Sequence, residues 1–130
     1  MKKPIVCGRP VKIAGDPDDM YFASLADGQV FTDDVISFLA YAVGEDWVAI
    51  DVGANIGLET LALSMLAPKG SVHAFEPVPR TAAHLRANVE SNGVRNVVVH
   101  EMAVGSAVTE LQFYDNAEFS AGSRTDRKAS

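Results

Sequence analysis

Hydrophobic residues in this chain gather into three short runs, and the stretches between them switch to a helical period. The first run, Trp47-Val48-Ala49-Ile50, ends at Asp51; the second, Ser71 to Phe75, ends at Glu76; the third is Asn96-Val97-Val98-Val99-His100. Short apolar runs closed by a polar residue are the pattern of buried strands. Between the first two, Leu58, Leu61, Ala62 and Met65 recur at i, i+3, i+4 and i+7, one apolar stripe of a helix that Pro68 and Gly70 end. Between the second and third, Pro79 suits a first helical position, Ala82, Leu85 and Val89 face inward, and Asn92-Gly93 stops the helix. The order strand, helix, strand, helix, strand predicts two right-handed crossovers and a parallel sheet whose strands are buried on both faces.

The flanks are less regular. Residues 1 to about 20 read as loop, with a short edge strand where Val11 and Ile13 flank Lys12, and with Asp16-Pro17-Asp18-Asp19 as a turn. A solvated acidic turn is the better reading there than a metal loop, because the further spaced oxygen ligands are missing. From Tyr21 a strand or irregular piece leads through Asp27-Gly28 into a helix with Thr32 as N-cap, Val35, Ile36, Leu39 and Val43 at helical spacing, and Gly44 as stop. That helix is expected to cover one face of the sheet. After Gly105, Val108 to Tyr114 alternates like a hairpin strand with one face exposed, and residues 124–130 read as a polar tail. The organisation expected is a cover segment over 1–46, a ligand-binding core over 47–123 and the tail.

Composition narrows the function. The chain has 130 residues, 48% of them hydrophobic, enough for one domain with a real core. A formal net charge of -6 argues against binding nucleic acid or an anionic membrane, which need a basic face. Cys7 is the single cysteine, so no internal disulfide or thiolate metal site is expected. No apolar run reaches the roughly 18 residues of a membrane span. Met1-Lys2-Lys3-Pro4 opens like an export signal, but Cys7, Gly8, Arg9 and Pro10 interrupt it, and a cytoplasmic location is expected.

The candidate chemistry sits between the first strand and its helix, as Asp51-x-Gly53-x-x-x-Gly57. Loops at the carboxyl ends of parallel strands are where open α/β sheets bind ligands. A dinucleotide fingerprint would place glycine where Asn55 stands, and a carboxylate before the loop would repel a diphosphate. The ligand implied carries no diphosphate and preferably a positive charge. S-adenosylmethionine fits, with Asp51 toward the methionine part, Gly53 admitting close backbone approach, and Glu76 accepting from the ribose hydroxyls. The alternative, half of a nicotinamide-dependent dehydrogenase, is disfavoured by Asn55 and Asp51.

These residues resemble a known family. Asp51-Val52-Gly53-Ala54-Asn55-Ile56-Gly57, Ala74-Phe75-Glu76-Pro77-Val78-Pro79, Leu85 through Gly93 and Ala103-Val104-Gly105 look like the FkbM-type methyltransferases, which use S-adenosylmethionine. The resemblance runs from about Trp47 to Ser123. It implies an α/β, Rossmann-like parallel sheet with flanking helices and O-methylation of a small-molecule or sugar hydroxyl. It also implies that Asp51, Gly53, Ala54, Asn55 and Gly57 line the cofactor, that Glu76 and Pro77 border the ribose, and that Glu101 and Met102 border the adenine. Two departures stand out. Glu59 occupies a position where the family often has an aromatic residue, and the acidic, glycine-containing motif of the fourth core strand has no match. The fold is therefore expected to be truncated after about three core strands plus the hairpin strand, with a homo-oligomer or a missing C-terminal half as partner. A non-catalytic cofactor-binding fragment is the second reading. No catalytic base is assigned: His100 is a candidate by location alone, His73 reads as core and His84 as helix surface. Arg80, Arg86 and Arg95 read as solvated charges.

Overall fold

In the computed structural model, the described residues are 1–31, 34–110, 112, 115, 117–118 and 120–122. The chain opens with a small antiparallel hairpin, β1 (Ile5–Val6) and β2 (Arg9–Pro10). Two helices follow, α1 (Met20–Ala23) and α2 (Asp34–Ala42). Then come β3 (Val48–Val52), α3 (Leu58–Leu66), β4 (Ser71–Phe75), α4 (Pro79–Ser91) and β5 (Val97–His100). The three longer strands form one parallel sheet in the order β3-β4-β5. Strand-helix alternation, the Pro79 start and the Asn92-Gly93 stop all stand where the periodicity put them. Gly93 holds a positive φ of 65°, the left-handed conformation that ends a helix.

Pairing of Asp51 with Ala74, and of Ala74 with Val99, places these side chains on one face of the sheet. That face is covered: Ala54, Ala74 and Leu85 are buried together with Val89, Val97 and Val99 around them. A second cluster lies on the other side of α3, where Val6, Val11, Ile13, Phe22, Leu25 and Ile36 pack with Ile56, Leu58, Leu61 and Ala62. The N-terminal segment thus wraps α3 and shares its core.

Side-chain amides fasten this wrap to α4. Asn88 accepts from Ala14 N at 2.7 Å and donates to Ala14 O at 2.9 Å and Ile56 O at 2.8 Å. One turn later, Asn92 accepts from Lys12 N and donates to Lys12 O, both at 2.8 Å. Four helical residues rise roughly 6 Å, close to the roughly 6.6 Å between alternate strand residues, so the two amides act as a ladder for extended backbone.

The structure corrects several expectations. The sheet is buried on one face only: Val48, Ile50 and Val52 are 67%, 65% and 59% exposed, and share their face with His73, Phe75, Val98 and His100. The reason is that α3 and α4 share the other face, while α2 packs against α3 instead of covering the open side. Residues after the acidic turn form α1, not a strand, because Asp19 caps it by accepting from Tyr21 N. Asp19 itself is buried, 2% exposed, where a solvated turn was expected. The alternating segment carries no strand at Val108, Thr109, Glu110 or Gln112, and no ladder pairs with it among the described residues. Leu111, Phe113, Tyr114, Thr32 and the 124–130 tail lie outside the described residues. No described helix is long and apolar enough to cross a membrane.

Candidate functional site

The site is built where β3 and β4 end side by side. β3 supplies Asp51 from the covered face, and Glu76 follows directly on β4. The loop between β3 and α3 folds over the end of β4, with Gly53 N and Ala54 N both donating to Phe75 O at 2.9 and 3.0 Å. Gly53 has φ +77° and open space where a Cβ would stand. Gly57 has φ +105°, and a Cβ there would meet Leu85 Cδ1 at 2.6 Å. The first glycine leaves room for a ligand; the second brings the loop down on α4.

Both carboxylates are oriented by neighbours. Glu76, 7% exposed, accepts from Asn55 N through Oε1 and from Val78 N through Oε2, each at 3.0 Å. Asp51 Oδ2 accepts from Thr60 Oγ1 at 2.6 Å. Burial pushes both carboxyls above their ordinary values. The hydrogen bonds oppose that rise, whereas the nearby Asp51 and Asp115 charges raise Glu76 further. Two partly desolvated acids with unused lone pairs favour a ligand that brings positive charge or hydroxyl donors. A diphosphate would meet the same acids as repulsion. The donor set fits S-adenosylmethionine, whose sulfonium and ammonium are cationic and whose ribose carries hydroxyls.

The remaining sequence-predicted residues divide. Ala54 is buried, while Asn55 and Pro77 are half-buried beside Glu76. Glu101 and Met102 follow β5 and are exposed, and the Glu101 carboxylate is taken by Arg86 Nη1 at 2.8 Å. His100 turns away from Asp51: it lies on the open face, 3.0 Å from His73 Nδ1 through Nε2 and stacked on Phe75. His73 is correspondingly on the open face, not in the core. Arg80 is no free solvated charge, since it bridges Asp16 at 2.9 Å and Asp115 at 3.1 and 3.2 Å. No group of metal ligands occurs among the described residues.

A match to the methyltransferase FkbM domain covers residues 51–130, from the first carboxylate onward. The chain belongs to the FkbM methyltransferase family. It is 39% identical over 84 residues to the 31-O-demethyl-FK506 methyltransferase FkbM of Streptomyces tacrolimicus, covering 63% of this chain and 32% of that protein. It is 35% identical over 72 residues to Methyltransferase 1 of Beauveria bassiana, covering 54% and 29%. The chain therefore spans about a third of the length of these relatives. The fold is shared with the M. jannaschii TYW2 structure in complex with AdoMet, at a TM-score of 0.53 and 21% identity, over 82% of this chain and 44% of that one.

In this FkbM domain the sequence pattern missed residues that act through others. Thr60 is fully buried under Asp51, yet a threonine in the first turn of an apolar helix carries no distinguishing signal. Asn88 does carry one: it lies three residues after Leu85 on the inward stripe, where a buried amide must find partners.

Proposed function

We propose that this chain is the cofactor-binding part of an S-adenosylmethionine-dependent methyltransferase that methylates a hydroxyl oxygen of a small molecule or sugar. The observation that carries the reading is a pair of carboxylates, half-buried Asp51 and buried Glu76, at the ends of adjacent strands on either side of the open Gly53 loop. Asp51 would face the methionine part, Glu76 the ribose, and Gly53, Ala54, Asn55 and Gly57 the backbone wall. Glu101 and Met102 would border the adenine, with the Arg86 ion pair fixing the direction of Glu101. When bound, the sulfonium cofactor supplies an activated methyl group; the chain's own residues hold and desolvate it, so that alignment with an acceptor does most of the work. The oxygen acceptor is supported by the name of the Streptomyces relative, an O-demethyl substrate's methyltransferase.

Calorimetric titration with S-adenosylhomocysteine, beside a parallel titration with NADH, tests the reading. Binding of the first alone is expected, and Glu76→Ala should weaken it by about 1–3 kcal/mol through lost hydrogen bonds to the ribose. Heat from NADH alone would overturn it in favour of a dinucleotide site.

A further inference from the structure

A buried carboxylate outside the site reaches it through a relay of hydrogen bonds. Asp19, at the N-cap of α1, accepts from Ser120 N through Oδ1 at 2.9 Å and from Ser120 Oγ through Oδ2 at 2.7 Å. Ser120 opens a single 3-10 turn, Ser120–Gly122, far along the chain. The same hydroxyl lies 3.1 Å from Asn55 Oδ1, in the middle of the candidate cofactor loop. Two described residues before it are held as well, Glu118 by Met20 N donating to its carbonyl oxygen at 2.8 Å and Asp115 by the Arg80 fork.

Proton counting fixes the polarity of this relay. A serine hydroxyl has one proton, and Asp19 can only accept while it is ionised. Burial would raise the Asp19 carboxyl, but hydrogen bonds from Ser120 N and Oγ and from the N–H groups of Tyr21 and Phe22 outweigh it and hold it below the ordinary value. The Ser120 proton is therefore committed to Asp19. Two acceptors would then face each other at Asn55 Oδ1, so we turn the Asn55 amide about its axis: its NH2 takes the Oδ1 position and donates to Ser120 Oγ, which leaves the carbonyl oxygen as the end available to a ligand. Amide orientation follows from such networks, because oxygen and nitrogen are otherwise nearly alike in shape.

We propose that Asp19 and Ser120 are positioning residues for the cofactor site: they pin the Asn55 amide with its acceptor toward the ligand, selecting for a donor such as an ammonium group. The role rests on the cofactor reading above. It also gives the left-handed Asn55, φ +53°, a side-chain tether while its backbone N–H holds Glu76.

The decisive variant is Asp19→Asn, which keeps every partner but can donate to Ser120, freeing the serine proton to turn Asn55 around. S-adenosylhomocysteine titration and the Asn55 side-chain NH2 resonances in the ligand-free chain are read together. About tenfold weaker binding is expected for Asp19→Asn and for Ser120→Ala, with wild-type affinity restored in Ser120→Thr, which keeps the hydroxyl. Exchange of the Asn55 NH2 protons should be slow in wild type and Ser120→Thr and fast in the other two. Wild-type affinity in both Asp19→Asn and Ser120→Ala, in chains that melt cooperatively, would overturn the positioning role and leave the cofactor site standing. A wild-type chain that binds no S-adenosylhomocysteine would instead remove the cofactor reading, and the positioning role with it.

Discussion

Thr60, on the helix that follows the candidate cofactor loop, gives its hydroxyl proton to Asp51, on the strand that precedes it, across 2.6 Å. The contact closes the loop at its base and opposes the burial-driven rise of the Asp51 carboxyl. Replacing Thr60 by Val keeps the shape and removes the donor. Thr60→Val should lower stability by about 1–3 kcal/mol, because half-buried Asp51 is left with one partner fewer, and should weaken S-adenosylhomocysteine binding. Urea unfolding and calorimetry on the same sample check both effects; unchanged stability and affinity would show the contact to be dispensable.

The two loop glycines should separate stability from binding. Gly57→Ala places a methyl against Leu85 Cδ1 and keeps a positive φ, so a loss of about 2–4 kcal/mol is expected from strain and overpacking. Gly53→Ala meets no neighbour, and its cost should stay near the roughly 1–2 kcal/mol of the left-handed conformation. Its methyl enters the open space proposed for the ligand, so Gly53→Ala should lose affinity out of proportion to stability. A common ranking of melting temperature and affinity across the pair would contradict this.

The Asp51 and Glu76 carboxyls lie above their ordinary values when folded, so the folded chain holds their protons more tightly than the unfolded one. Their contribution to stability accordingly falls as pH rises from the ordinary carboxylate range through the raised values. Ligand binding wants both ionised. S-adenosylhomocysteine affinity should be flat near neutrality and drop as pH falls through the raised values, with proton release seen as buffer-dependent heat. Asp19 has the opposite sign, its contribution being present above the ordinary carboxylate value and lost as pH falls through its depressed folded value. Affinity that rose on acidification would refute the assignment of the two acids.

Asn88 replaces a strand partner for residue 14 and holds the end of the candidate cofactor loop at Ile56 O. Asn88→Leu is close in size but leaves three backbone groups without their partner. A loss of about 3 kcal/mol or more is expected, read as a shift in urea midpoint. Asn92→Leu, at an exposed rung of the same ladder, should cost visibly less.

Val48, Ile50 and Val52 line an exposed apolar strip on β3, whose second edge is unpaired among the described residues. Open apolar edges template association with another strand. The isolated chain should therefore self-associate with rising concentration in light scattering, and Ile50→Lys should reduce this without lowering the melting temperature. A wild-type chain that stays monomeric would show that the strip is not adhesive.

Sequence by itself determined the alternation of strands and helices, because strand and helix periods are local: the Leu58-Leu61-Ala62-Met65 stripe, the Pro79 start and the Gly93 stop each depend on a few neighbouring residues. It also carried the expectation for the loop, since a carboxylate before two glycines disfavours a diphosphate. Only the tertiary structure decided what depends on distant pairs. It set Thr60 under Asp51, made Asn88 and Asn92 a ladder for residues 12–14, and brought Ser120 between Asp19 and Asn55. It turned His100 onto the face opposite Asp51, which follows from strand register. And it left one face of the sheet open: an apolar run records that burial is favourable, but which element arrives to provide it is settled by the packing of the whole chain.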